Sequence, residues 1–375
     1  MPSVKPSNFA AFLTGSKVHP LEVRSAPYTS PSAHQIVVKN AVVAVNPVDW
    51  IKQDIGEFLY GWIKYPFVLG YDVAGEVVEA GSAVTRFKAG DRVVGLSVGM
   101  EEKINTSVQS GFQNYTVLLD HMVAPIPDAI SYENAVVIPL GLSTAASGLF
   151  QKDQLALELP TVPARAPSSI GKTLIVWGGA TSVGCNAIQL AVAAGYQVVT
   201  TASPKNFDLV KKLGASQAFD YRSKTVVSDM IAALQGQTIA GALTMGPGAA
   251  EACRDIVHRC KGDKVISMAT YPSLQPPPQS LVLPRTVLYF VSWMVRHTIT
   301  TKLRGIRSQF IWGGTVIFNE VGPAMFKDFL PKALAEAAYV PAPEPQVVGE
   351  GLESIQAAFD RQKKGVSATK LVVTL

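Results

Sequence analysis

Between residues 173 and 190 the chain reads TLIVWGGATSVGCNAIQL, and this passage limits the possible folds more than any other. A short apolar, β-branched run ends at Trp177, a turn of small residues follows, and an apolar pattern at helical spacing begins at once. That is one strand–turn–helix unit. Further strands are predicted at YQVVTTA, SQAFDY, IAGALTM and GDKVISMA, with NFDLVKKLGA as a helix stopped by Gly214 and other helical stretches between. Strands alternating with helices require right-handed crossovers and a parallel sheet, so an α/β, doubly wound domain is expected here.

The first part of the chain has another texture. From about residue 35 to 126, short β-branched runs (IVVKNAVVAV, AGEVVEAG, DRVVGL, QNYTVLL) alternate with Gly, Pro and Asp, which predicts a compact barrel or sandwich. SYENAVVIPLGLSTAASGLF, from Ser131, reads as one helix leading out of that unit, and LPTVPARAP as a surface loop. The tail ATKLVVTL returns to the first texture as a strand. Tyr271 to Ser308 is Pro-rich and then apolar, with no course assigned. Its most membrane-like stretch, Thr286 to Val295, lies between Arg285 and Arg296 and has about half the length that spans a bilayer. A buried helix is expected there, with a lipid-facing or acyl-binding helix as the alternative.

A length of 375 residues allows about two domains, and 48% hydrophobic against 16% charged residues describes a well-buried globular chain. The formal charge of +5 is spread without a basic tract, which suits anionic small molecules and gives no nucleic-acid surface. Three cysteines, Cys185, Cys253 and Cys260, are too few and too odd for a disulfide framework, and the N-terminus has no signal-peptide pattern. A cytoplasmic protein without a membrane span is expected.

The turn after Trp177 has the properties a pyrophosphate needs: close backbone approach, free amides and the positive end of a helix. Gly179, Ala180, Thr181, Ser182, Val183 and Gly184 are therefore the expected phosphate contacts, although Ala180, Thr181 and Ser182 replace the middle of G-x-G-x-x-G. A dinucleotide enzyme that selects NAD places an acid at the end of the next strand. This strand ends VVTTASPKNF, with no acid. Ser203 and Lys205, with Asn206 in the same turn, can hold a 2′-phosphate, and Tyr221 closes the same pocket, so NADPH is the expected cofactor.

The motifs VNPVDW (45–50), LGYDVAGEVVEAG (69–81), FKAGDRVVG (87–95), FQNYTV (112–117) and the ATSVG turn occur together in the order found in the medium-chain dehydrogenase/reductase superfamily, which the chain resembles over nearly its whole length. The resemblance implies a GroES-like β-rich catalytic domain over 1–140, completed by 320–375, and a Rossmann domain over 141–319. Zinc members carry Cys, Gly-His-Glu and a four-Cys lobe where this chain has Asn46-Pro47-Val48-Asp49 and Gly70-Tyr71-Asp72. His19, His34 and His121 are scattered, and no metal ligand is assigned. The chain looks most like the zinc-independent quinone oxidoreductase group and the fungal enoyl reductases that act in trans on polyketide synthases. The resemblance implies NADPH-dependent reduction of a conjugated carbon–carbon double bond, on a small-molecule or carrier-bound enoyl substrate, with a polyketide synthase as partner and the oligomeric state open. Its alternatives are a quinone- or aldehyde-detoxifying reductase and an NADPH-binding sensor with little chemistry.

Hydride delivery to such a bond makes an enolate, which needs oxyanion donors and then a proton at the α-carbon. Tyr71 stands where zinc members have a histidine ligand; it faces the nicotinamide and donates the proton, or it is a core tyrosine. Lys52 lies one place after the lysine of many relatives; it reaches the cleft from a helical turn, or it is a surface lysine. Ser143 and Thr144 of GLSTA lie beside the nicotinamide in relatives, with Thr144 also carried as catalytic. Asn46 and Pro47 are carried as cofactor contacts, Asn46 also ordering its own loop, and Asp72 is read as a structural hydrogen-bonder.

Overall fold

In a computed structural model, which describes residues 6–166, 169–272 and 282–375, the chain divides into two units, 1–143 with 316–375 and 144–315.

The first unit opens with β1 (Asn8–Leu13), β2 (Glu22–Ala26) and β3 (Gln35–Ala44). Helix α1 (Pro47–Ile55) follows, then β4 (Phe67–Val68), β5 (Asp72–Ala80), β6 (Arg92–Leu96), β7 (Tyr115–Leu119) and β8 (Val123–Pro125). The start of α1 is built by the NPVD sequence itself. Pro47 takes the first helical position, where its missing N–H costs nothing, and the Asp49 carboxyl accepts the Asn46 amide at 2.8 Å. Strand β3 pairs antiparallel with β5 along most of its length and also with β7, so its β-branched residues fill the centre of the unit.

The expected helix from Ser131 is two. Helix α2 (Tyr132–Ala135) is capped by the Ser131 hydroxyl, and α3 (Pro139–Phe150) begins afresh at Pro139, whose ring and missing N–H end the first segment. The boundary of the two units falls within α3.

The second unit contains β9 (Thr173–Trp177), α4 (Ser182–Ala193), β10 (Gln197–Ala202), α5 (Phe207–Lys212), β11 (Gln217–Asp220) and α6 (Val226–Ala233). It continues through β12 (Thr238–Thr244), α7 (Ala249–Arg259), β13 (Lys261–Gly262), β14 (Val265–Met268), α8 (Val282–Leu303) and β15 (Arg307–Phe310). The sheet is parallel in the order β11-β10-β9-β12-β14-β15, with β13 beside β12. Helix α7 buries Ala249, Cys253, Ile256 and Val257, a helical stripe that packs on the sheet, and all three cysteines are buried and unpaired by disulfides.

Helix α8 and β15 supply the course that the sequence left open, apart from 273–281, which lie outside the described residues. The expectation of a buried helix is corrected. Leu288, Val295 and Ile299 are 71%, 55% and 54% exposed, because the buried side of α8 is taken by Trp293, His297 and Thr301. Among the described residues no helix is long and apolar enough to cross a membrane.

The chain then returns to the first unit through helical turns over 321–335, β16 (Glu344–Glu350), the helix Ser354–Lys363 and β17 (Thr369–Thr374). Strand β17 pairs with β3, giving the order β16-β17-β3-β5-β6-β8, with β7 on β3. The strand expected at ATKLVVTL is thus a central strand of the N-terminal unit.

Candidate active site

The turn after β9 is held open from both sides. Gly178 has φ of +93°, which favours glycine, and its amide donates to Thr201 Oγ1 at 3.0 Å while the Gly179 amide donates to Thr201 O at 2.8 Å. Thr181 caps α4: its hydroxyl accepts the Gly184 amide at 3.0 Å and donates to Gly178 O at 2.8 Å. A Cβ on Gly184 would stand 2.3 Å from Gly178 O and 2.7 Å from Gly179 Cα, so the helix start lies directly against the turn. Among the described residues Ser182 Oγ is buried without a hydrogen-bond partner, and the amides of Ser182 and Val183 lie in the first turn, where a helix offers no internal acceptor. This cradle of amides, with an orphaned hydroxyl in it, fits the phosphates of a dinucleotide. Thr201, which sequence reasoning passed over, is what shapes it.

The ends of β10 and β11 stand side by side, with Ala202 opposite Asp220. The next residues on the two strands are Ser203, buried, and Tyr221, 41% exposed. Lys205 is exposed and Asn206 half-buried in the 3₁₀ turn Pro204–Asn206. Arg222, also missed, lies 5.2 Å over the Tyr221 ring, adding a second cation to this edge. Its place directly after Tyr221 was the available signal.

At the carboxyl ends of β12 and β14 a cavity of about 230 Å³ is lined by Thr244, Gly246, Glu251, Thr270, Tyr271 and Trp293, among others. Ligands of open α/β sheets sit at this end of the strands. Thr144 is half-buried in this unit, and a Cβ on Gly313 would stand 2.5 Å from its hydroxyl; Ser143 is fully buried.

In the first unit the predicted residues fall into two buried clusters. Tyr71 is the middle of a chain: its hydroxyl donates to Glu101 Oε1 at 2.8 Å, so the Tyr60 hydroxyl, 2.7 Å away, donates to Tyr71. Burial first, then the neighbouring Tyr60 and Glu101, hold the Tyr71 hydroxyl well above the usual tyrosine range. Lys52 is neither of the things its position allowed. It is fully buried, its ammonium donating to Gly56 O (3.0 Å) and Tyr60 O (3.2 Å), 5.2 Å from the Tyr65 ring. It ties α1 to the segment that carries Tyr60, and burial pulls its pKa down.

The second cluster centres on Asp72. One oxygen accepts the Leu140 amide at the start of α3 at 2.7 Å; the other accepts Asn46 Nδ2 and meets the Lys370 ammonium, each at 2.8 Å. Lys370 also donates to Asn46 Oδ1. Asp72 is thus the structural hydrogen-bonder expected, and Asn46 ties its loop to β5 and β17. Asp49, fully buried, has one oxygen without a hydrogen-bond partner among the described residues, and desolvation pushes its carboxyl up to about 8.

A parallel sheet carrying a phosphate turn, joined in one chain to a β-rich unit with a buried polar cluster, defines a two-domain dinucleotide-binding oxidoreductase. Comparison with known proteins gives the family. Residues 32–128 match the alcohol dehydrogenase GroES-like domain and 182–265 the zinc-binding dehydrogenase family. The chain is 55% identical to dehydrogenase pigH of Monascus ruber, covering 99% of this chain and 100% of that protein. It is 38% identical to trans-enoyl reductase himH of Aspergillus japonicus over 98% and 97% of the two chains. The crystal structure of CurK enoyl reductase shares the fold, with a TM-score of 0.73 at 17% identity over 98% and 99% of the chains. The protein belongs to the medium-chain dehydrogenase/reductase family, alongside fungal dehydrogenases and trans-enoyl reductases.

The zinc in that family description does not suit these residues. Both Asp72 oxygens are already taken, one of them by an ammonium that a cation would have to displace, and Tyr71 is held by Tyr60 and Glu101. Among the described residues no group of three or more His, Cys, Asp or Glu is placed to hold a metal ion.

Proposed function

We propose that this chain is an NADPH-dependent reductase of fungal secondary metabolism, delivering a hydride to a carbon–carbon double bond conjugated to a carbonyl. The observation that carries the proposal is the cradle after β9 beside a strand end that has Ser203, Lys205 and Arg222 and no acid reaching from β10, in a chain 38% identical to a trans-enoyl reductase. When bound, NADPH supplies the hydride to the β-carbon.

The chain's own groups do the rest. The amides of the turn and Ser182 hold the phosphates, Ser203 donates to the 2′-phosphate, and Lys205 and Arg222 neutralise it. The cavity at the ends of β12 and β14 takes the nicotinamide half, and the Thr144 hydroxyl donates toward the substrate side. Tyr71 gives its hydroxyl proton to the α-carbon, and the tyrosinate left behind takes the proton that Tyr60 donates to it, which solvent then restores to Tyr60. The lysine bound to two carbonyls in the first unit has no part in this; it positions Tyr60.

The test is oxidation of NADPH by the purified protein against a panel of enoyl thioesters, enones and quinones, with product analysis. Reduction of the enoyl thioesters supports the proposal. Turnover of quinones alone moves the chain to the detoxifying class, and NADPH binding without turnover of any electrophile marks a sensor.

A further inference from the structure

Helix α8 keeps an aliphatic stripe on its outer side. Its 22 residues, about 33 Å long, place Trp293, His297 and Thr301 against the unit, each under 5% exposed. Those contacts are apolar as well as polar: Trp293 lies in the buried core with Tyr289 and Met294 packed beside it, its ring 6.3 Å from that of Phe310. Trp293 Nε1 donates to Glu251, His297 Nε2 lies 2.9 Å from Ser308 Oγ, Arg254 donates to Thr300 at 3.2 Å, and Arg304 pairs with Asp255. The outward face is aliphatic: Leu288, Val291, Val295, Ile299 and Leu303, spaced three or four apart, are 51–82% exposed. A helix of a free-standing protein turns its apolar stripe inward, so this stripe is built to be covered.

Charge selects what covers it. Between 282 and 303 there is no acid, while Arg285, Arg296 and Lys302 are exposed along the stripe. The acids packed beneath, Glu251 and Asp255, are engaged by Trp293 and by Arg254 and Arg304. A second copy would set like charges against each other across a two-fold axis. A lipid surface favours long and aromatic side chains on the apolar face, whereas here that face is mostly Val and Ile and Trp293 points inward.

We infer that the outer face of α8 docks an acidic helix with an apolar stripe, belonging to the protein that carries the acyl substrate. The inference rests on the reductase reading above, in which the substrate is carrier-bound.

The experiment compares one enoyl group in two forms: on N-acetylcysteamine, and tethered through phosphopantetheine to an acidic helical carrier domain. The parent protein, Val295→Glu and Arg296→Glu are assayed with both, after thermal unfolding shows all three folded. The expected result is that each variant raises KM at least fivefold for the tethered substrate alone, and that added salt reduces the parent's preference for it. An unchanged ratio of tethered to free KM in both variants overturns the inference while leaving the reductase reading intact. No turnover of the free thioester by the parent overturns the reading itself. A parent dimer that Val295→Glu converts to monomers in analytical ultracentrifugation, or sedimentation of the parent with anionic vesicles that the variants lose, assigns the face to another occupant and also overturns it.

Discussion

Replacing Gly184 with alanine adds a single methyl group at the tightest point of the cofactor cradle. The new carbon would lie 2.3 Å from Gly178 O and 2.7 Å from Gly179 Cα, about 1 Å inside normal contact, and both obstacles are backbone. No side chain can swing away, so either the start of α4 or the turn must move. Overpacking of this kind costs about 1–3 kcal/mol of stability. The same movement withdraws at least one amide from a phosphate, and a hydrogen bond to a charged group is worth about 1.5–3 kcal/mol, or roughly tenfold to a hundredfold in affinity. Titration of cofactor fluorescence should therefore show a Kd for NADPH raised by at least about tenfold, in a protein whose circular dichroism is unchanged and whose Tm is lower by a few degrees. A Gly184→Ala protein that melts with the parent and binds NADPH with the parent's Kd would refute the close packing of α4 on the turn.

Three further outcomes are expected. The Asp49 carboxyl, lifted to about 8 chiefly by desolvation, holds its proton in the fold where the unfolded chain releases it near pH 4, so its contribution to stability is complete below that value and is lost as pH rises toward 8. Thermal unfolding from pH 4 to 9 should show a fall in Tm that Asp49→Asn flattens; an identical slope in the variant would exclude Asp49 as its source. Tyr71→Phe removes the hydroxyl that links Tyr60 to Glu101, and kcat should fall about tenfold or more, as it should in Thr144→Val. Parent-like kcat in both variants would remove these residues from the chemistry. Lys205→Ala combined with Arg222→Ala should raise the KM for NADPH about tenfold and leave that for NADH unchanged; equal changes with both cofactors would place neither cation at the 2′-phosphate.

The cradle was legible because every part of it is local. A strand, a small-residue turn and a helix within 18 residues leave few alternative geometries, and the missing acid after β10 needed only the next strand to be located. The first unit was harder to read for the opposite reason. Tyr71 takes its partners from 11 residues before and 30 after, and Lys370 reaches Asn46 across 324 residues, so no periodicity announces either cluster. Lys52 was weighed as cleft or surface because a lysine without an acid beside it is seldom buried; here carbonyls from the end of α1 and from Tyr60 satisfy its ammonium. Helix α8 misled because hydropathy along a chain records which residues are apolar and not which way they point. Trp293, His297 and Thr300 found partners on α7 and β15, and that left Leu288, Val291, Val295 and Ile299 outside.

The place of β17 orders how this protein can be made. Residues 144–315 form a uniform stretch that is complete once the ribosome has passed it, whereas the earlier 143 residues must wait for 369–374 to emerge. Until then β3 lacks its β17 neighbour, and the carboxylate of Asp72 has no Lys370 ammonium to meet. A nascent chain of which only the first 315 residues have emerged therefore displays a finished nucleotide-binding domain behind an unfinished one, and it is the unfinished one that a chaperone would have to shelter.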